Sequence, residues 1–101
     1  MPSKTTQELQ EKIAFYERVL DNIRNGVMIT DPDGQVIFFS RTYGNFLGVD
    51  PQEVIGKHCR QVVEHTRMDV VAQTGIPEIN HPHRIKGQDM VVQRIPIYKD
   101  D

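Results

Sequence analysis

The sequence predicts an α+β domain: an amino-terminal amphipathic helix, then an antiparallel sheet with a helical insert on one face. Three observations carry that expectation. Residues 27–40 set two short β-prone runs on either side of Asp31, Pro32, Asp33 and Gly34. Residues 40–75 break into short segments, each closed by a glycine (Gly48, Gly56, Gly75). Residues 78–98 return to β-prone character around Gly87. Strands joined by hairpins pair antiparallel, and helices gathered between two hairpins belong on one side of the sheet.

The first element is a helix over residues 5–25. Its apolar residues Leu9, Ile13, Tyr16, Leu20 and Ile23 step by 4, 3, 4 and 3, a heptad seam that Phe15 and Val19 broaden. Asn25 and Gly26 supply a stop, with Gly26 suited to a left-handed residue. Two readings stand level: a helix lying on its own domain, or a dimer seam or the end of a longer coiled helix, with those five residues as the interface. The domain division that follows is 1–25 for this helix and 26–101 for the globular part.

In the first hairpin Pro32 presets an early turn position, the two aspartates bond nearby amides, and Gly34 accepts positive φ. Ser40 then caps a helix through Phe46 and Leu47 that ends at Gly48. Asp50, Pro51 and Glu53 form a strong start for a single turn that buries Val54 and Ile55 and closes at Gly56. Residues 57–64 read as helix or extended turn, with Val62 and Val63 inward. Thr66 caps a helix over 67–74 that turns Met68, Val71 and Ala72 to the core and stops at Gly75. Residues 78–86 form a strand in which Pro82 marks an edge or a bulge. Gly87 and Gln88 make the turn, and residues 89–98 form the last strand, bulged or at its end near Pro96.

Composition narrows the functional classes. At 101 residues a single core is adequate but not generous. A net charge of −2 leaves no basic stripe, so direct binding to nucleic acid is not expected. No apolar run approaches membrane-spanning length, and the polar start lacks a signal peptide's apolar core. One cysteine, Cys59, leaves no internal disulfide, so a cytoplasmic location is expected. There is no nucleophile elbow, no zinc-protease helix and no phosphate-binding glycine loop, so the chain is not read as an enzyme. Turn chemistry accounts for Asp31 and Asp33.

The order of Asp31-Pro-Asp-Gly34, Phe46-Leu-Gly48, Glu53-Val-Ile-Gly56 and Arg94-Ile-Pro-Ile-Tyr-Lys-Asp100 resembles a PAS domain over residues 16–101. More narrowly, residues 65–68, 74–79 and 90–97 resemble the PAS sensors of sigma-54-dependent transcription activators. The resemblance implies a sensory and dimerisation module working as a homodimer ahead of an ATPase and DNA-binding output domain. It also implies five antiparallel strands, the fifth between the first and fourth. The turn into that strand would begin at Lys99, Asp100 and Asp101, so four strands are expected. Intermolecular pairing, an exchanged strand or the amino-terminal helix would close the gap.

A PAS fold implies a pocket between sheet and insert, holding haem, flavin, a small metabolite or nothing; a rival reading is a ligand-free interaction domain whose pocket is filled by Phe38, Phe39, Phe46, Met68 and Met90. Phe46, Val63, Met68, Met90, Val92 and Arg94 are the candidate lining residues. Residues 56–60 are similar to the Gly-x-Asn-Cys-Arg segment of the light-sensing LOV subfamily. Cys59 and Arg60 match, and Asn80 matches a flavin-contacting Asn. His58, Val63 and Met90 replace the amides that would read the flavin, so flavin is not expected. Haem would need an axial histidine, with His65 and His58 as candidates, but His65 beside Glu64 and Thr66 reads as exposed. His81 and His83 alternate on one strand face, yet zinc spacing is incomplete, and they read as surface residues; no metal is expected. Arg94 turns on strand parity. If Met90 and Val92 face the pocket, Arg94 follows and is able to clamp an anion. The opposite parity sends Val91, Ile95 and Ile97 inward and leaves Arg94 in water.

Overall fold

The computed structural model describes residues 4–98. Its elements are α1 (Lys4–Asp21), β1 (Met28–Thr30), β2 (Val36–Phe39), α2 (Arg41–Leu47), α3 (Pro51–Val54), α4 (Cys59–Val62), α5 (Met68–Thr74), β3 (Glu78–Ile85) and β4 (Gln88–Arg94). The strands form two antiparallel pairs, β1 with β2 and β3 with β4, in separate two-stranded sheets. The expected turn into a fifth strand, at residues 99–101, lies outside the described residues. No helix among the described residues is long and apolar enough to cross a membrane.

Local chemistry fixes the first half. The Asp31 carboxylate accepts the backbone N–H groups of Asp33 and Gln35, each at 2.9 Å, and Gly34 takes φ +88°. Buried Ser40 caps α2 by accepting the N–H of Tyr43 at 3.3 Å, and also accepts the N–H of Val27 at 3.0 Å. One hydroxyl thus ties the start of the first hairpin to the first helix of the insert. Asp50 caps α3 through the N–H of Gln52. His58 and Gln61 form a reciprocal capping box on α4.

The core gathers Val36, Phe39, Val54, Cys59, Val63 and Ile85, with Met28, Tyr43, Phe46, Leu47, Val62, Met68 and Met90 packed against it. Ile85 is the contribution of the second hairpin. Polar contacts hold that hairpin to the insert: the Lys86 N–H donates to the Glu64 carboxylate at 2.8 Å, and the Lys86 ammonium reaches the carbonyls of Phe46 and Leu47. The Tyr98 hydroxyl donates to the carbonyl of Gly75 at 2.9 Å.

Several expectations are corrected. α1 ends at Asp21, not at residue 25: the Asn22 and Ile23 N–H groups bond the Val19 and Leu20 carbonyls three residues back, a tightened last turn that does not continue as α-helix. The Asp21 carboxylate instead accepts the Arg41 N–H at 2.9 Å, joining α1 to α2. Gly26 is required by a close approach and not by a left-handed backbone: a Cβ there would lie 2.8 Å from the Tyr43 ring. Ile55 faces outward because it is the extended C-cap of α3. The second turn is Lys86–Gly87, both with positive φ, one residue earlier than expected. The irregularity in β3 falls between Glu78 and His81, not at Pro82. α1 does not lie on its own domain, since its apolar stripe is largely exposed.

Candidate functional site

A cleft of about 530 Å³ opens between the helical insert and the inner face of β4, with Met28 of β1 and the 24–26 linker at one end. Phe46, Val63, Met68, Met90, Val92 and Arg94 all line it. The structure therefore brings together six candidates drawn from α2, β4 and the segments around α4 and α5. Tyr43 adds a ring that stacks on buried Phe39, with centroids 4.8 Å apart and planes 12° apart. Burial pushes the Tyr43 phenol above its ordinary value, keeping it neutral.

The parity of β4 follows from its burial pattern. Met90 and Val92 are half-buried, Val91 and Gln93 are exposed, and Arg94 is 3% exposed. The tight turn pairs Ile85 with Gln88, and the bulge between Glu78 and His81 then sets Glu78 opposite Arg94. Arg94 Nη1 donates to Glu78 Oε1 at 2.8 Å and faces His81 Nδ1 at 3.3 Å, while Nη2 faces His83 Nδ1 at 3.0 Å. A guanidinium only donates, so both Nδ1 atoms act as acceptors. His83 Nε2 is then free to donate to the Glu64 carbonyl at 2.8 Å. The two histidines read as surface residues are in fact half-buried partners of Arg94, because the strand face they share points inward.

Glu78 is the hinge of this network. Its carboxylate also accepts Arg67 Nε at 2.7 Å, so it links the start of α5 to the floor of β4. The hydrogen bond from Arg67, reinforced by Arg94, holds the Glu78 carboxyl below the usual range. Sequence reading missed Glu78, Arg67, Tyr43 and Arg24. The only signal for Glu78 was its cross-strand distance from Arg94, which requires the register.

The cleft wall carries Arg24, Arg94 and His83 and no carboxylate; Glu78, the counter-ion of Arg94, is not among its lining residues. An apolar chamber whose wall carries Arg24, without an ion-pair partner among the described residues, beside an Arg94 already paired with Glu78, favours an anion with an apolar body. Other candidates sit elsewhere. Cys59 is fully buried in the core, and burial raises its thiol. His58 caps α4, His65 is exposed, and the Asn80 side chain accepts a bond from Gln93; none of these lines the cleft. Among the described residues, no three His, Cys, Asp or Glu side chains converge as a metal site. Arg60 forms a two-point ion pair with Asp69, at 2.7 and 3.0 Å, away from the cleft wall.

Comparison with known proteins agrees with this architecture. A family model described as the PAS fold matches residues 14–98. The sensor protein CitS of Halalkalibacterium halodurans is 32% identical over 101 residues, which cover 98% of this chain and 18% of that protein. The chain thus spans under a fifth of that relative's length. The crystal structure of the PAS domain of an HTR-like protein from Haloarcula marismortui matches with a TM-score of 0.55 at 20% identity. It covers 86% of this chain and 78% of that one. At that identity the likeness concerns the fold alone.

Proposed function

The chain belongs to the PAS family, and from that premise we propose that it is the sensory module of a signalling protein, regulated by a small organic anion held in the cleft. The observation that carries this reading is the pairing of an apolar cleft of about 530 Å³ with Arg24 and Arg94 and no lining carboxylate. That volume lies within the range of small-molecule sites, roughly 300–1,000 Å³. It also weighs against a ligand-free interaction domain. Phe39 belongs to the core and Phe38 does not line the cleft, so Phe46, Met68 and Met90 are left to narrow it without filling it.

Occupancy has a direct route to α1. The linker residues Arg24 and Gly26 form part of the wall, Gly26 rests on Tyr43, and Asp21 is bonded to the start of α2. A ligand that favours one packing of Tyr43 and Phe46 therefore acts on the joint between α1 and the core, in proportion to its differential affinity for the two packings.

The likeness to a sensor protein supports the signalling role. The resemblance of residues 65–68, 74–79 and 90–97 to sigma-54 activator modules supports a second output, through ATPase and DNA-binding domains. ATP hydrolysis coupled to sigma-54-dependent transcription by the full-length protein favours that second output, and its absence favours the first. A cytoplasmic location is part of the proposal, supported by the lone buried Cys59.

The ligand reading is tested by thermal denaturation against a panel of aliphatic and aryl mono- and dicarboxylates. A ligand at about ten times its Kd adds about 1.4 kcal/mol, which raises Tm by roughly 6–10 °C for a domain of this size. Arg24→Gln is expected to weaken that shift without lowering the Tm of the free protein, because Arg24 has no ion-pair partner among the described residues. A panel in which no member raises Tm refutes the anion reading and favours the interaction-domain alternative.

A further inference from the structure

We infer that Thr66 and Tyr43 set the specificity of the cleft, selecting a carboxylate that carries an uncharged acceptor oxygen, such as a ketone, at the end away from its charge. Resting on the anion reading above, this adds the chemistry of the ligand's far end.

The unused polar groups of the cleft lead there. Thr66 is 2% exposed and lines the cleft. The sequence suggests it as the cap of α5, but Arg67 holds the cap position. The Thr66 hydroxyl accepts only a long bond from the Met68 N–H, at 3.4 Å, and its own proton has no acceptor among the described residues. The Tyr43 hydroxyl likewise has no partner among the described residues. No sealed side-chain polar atom among them lacks a partner, so the Tyr43 oxygen is open, and the cleft is what its ring lines. The other polar groups of the wall are committed or peripheral. Thr42 bonds the Ile23 carbonyl, His83 lies between Arg94 and the Glu64 carbonyl, and Arg94 has Glu78. Asn25 and Gln93 are exposed.

Burial orders the three unused donors along the cleft. Arg24 is exposed, Tyr43 half-buried and Thr66 buried. A carboxylate beside Arg24 keeps part of its hydration. Beside Thr66 it would lose that hydration, and Arg94 already has its counter-ion. An uncharged oxygen costs far less to desolvate, and a ketone has two lone pairs for the protons offered there. A hydrocarbon end leaves both hydroxyls unpaired, the penalty from which hydrogen-bonding sites draw their selectivity. The ligand therefore lies with its carboxylate at the mouth, its apolar body against Phe46, Met68 and Met90, and its neutral oxygen at Thr66 and Tyr43.

The test is calorimetric titration of the intact chain with matched carboxylates: para-acetylbenzoate against para-ethylbenzoate, and levulinate against pentanoate. The ketone of each pair is expected to bind about tenfold more tightly. Tyr43→Phe keeps the ring and is expected to cut that preference to about threefold, with little change for para-ethylbenzoate. Thr66→Val, equal in shape, is expected to do the same. Arg24→Gln is expected to weaken both members of a pair alike and leave their ratio unchanged. Carboxylates that bind with no preference for the ketone overturn this inference and leave the anion reading standing. A preference unchanged in either hydroxyl variant overturns the role of that residue. Binding by no member of either pair, nor by any other carboxylate, overturns both readings together.

Discussion

Replacing Glu78 with glutamine removes the carboxylate that pairs with Arg94. The Arg94 side chain is 4% exposed and that of Glu78 15%, so the pair lies largely out of water. Breaking a buried pair from one side costs about 3–5 kcal/mol, because the surviving charge is left without its counter-ion. Here the Nδ1 atoms of His81 and His83 remain as neutral acceptors, which sets the expectation somewhat below that range, at about 2–4 kcal/mol. For a domain of this size that lowers Tm by roughly 10–30 °C. The reverse substitution is not equivalent. In Arg94→Met, Glu78 keeps Arg67 at 2.7 Å, and the methionine fills part of the vacated volume, so the loss is expected to be smaller. The combined variant is expected to be more stable than Glu78→Gln alone, since it no longer buries an unpaired guanidinium. Urea denaturation of the three variants, read as a double-mutant cycle, measures this coupling. Equal losses in the two single variants, or a Glu78→Gln loss below about 0.5 kcal/mol, would refute the account of the network.

Three further outcomes are expected. Ser40→Ala removes the acceptor for the N–H groups of both Val27 and Tyr43 and is expected to cost about 1–3 kcal/mol by denaturant titration. Gly26→Ala drives a Cβ to 2.8 Å from the Tyr43 ring. It is expected to cost about 1–3 kcal/mol and to shift the tyrosine fluorescence, whereas an unchanged Tm would show that the linker does not rest on Tyr43. Hydrogen bonds from Arg67 to Glu78 and from Arg60 to Asp69 hold both carboxyls below their unfolded values. The stability they add is fully present above the unfolded carboxyl values, about 4, and is lost as pH falls through the lower folded values. Glu78→Gln is therefore expected to flatten the fall in Tm between neutral pH and acid, and an unchanged pH profile would contradict the assignment for Glu78.

What was legible in the sequence was local. Asp31, Ser40 and Asp50 each act on backbone amides within four residues, so turn and cap chemistry identified the first hairpin, α2 and α3 directly. Apolar spacing likewise identified Val54, Val63 and Val71 as buried. The site was legible only in its apolar part, because bulky residues beside a sheet need no register to be counted. Its polar floor depends on pairing across β3 and β4. A turn placed one residue late pairs Lys86 with Asp89 and moves Glu78 away from Arg94, so the network disappears from view. Ile55 was misjudged for a similar reason. Its hydrophobicity argued for burial, but its extended cap geometry turned it outward.

If the cleft is a sensing chamber for an organic anion, the methionines that line it report its occupancy. Of the four methionines, Met28, Met68 and Met90 line the cleft, and Met1 lies outside the described residues. Carbon-13 methyl-methionine NMR, with a carboxylate titrated in, therefore carries three probes inside the chamber. Three methyl resonances are expected to move together along one binding isotherm, and Arg24→Gln is expected to weaken that isotherm. Three resonances that stay fixed across the carboxylate panel would contradict the anion reading.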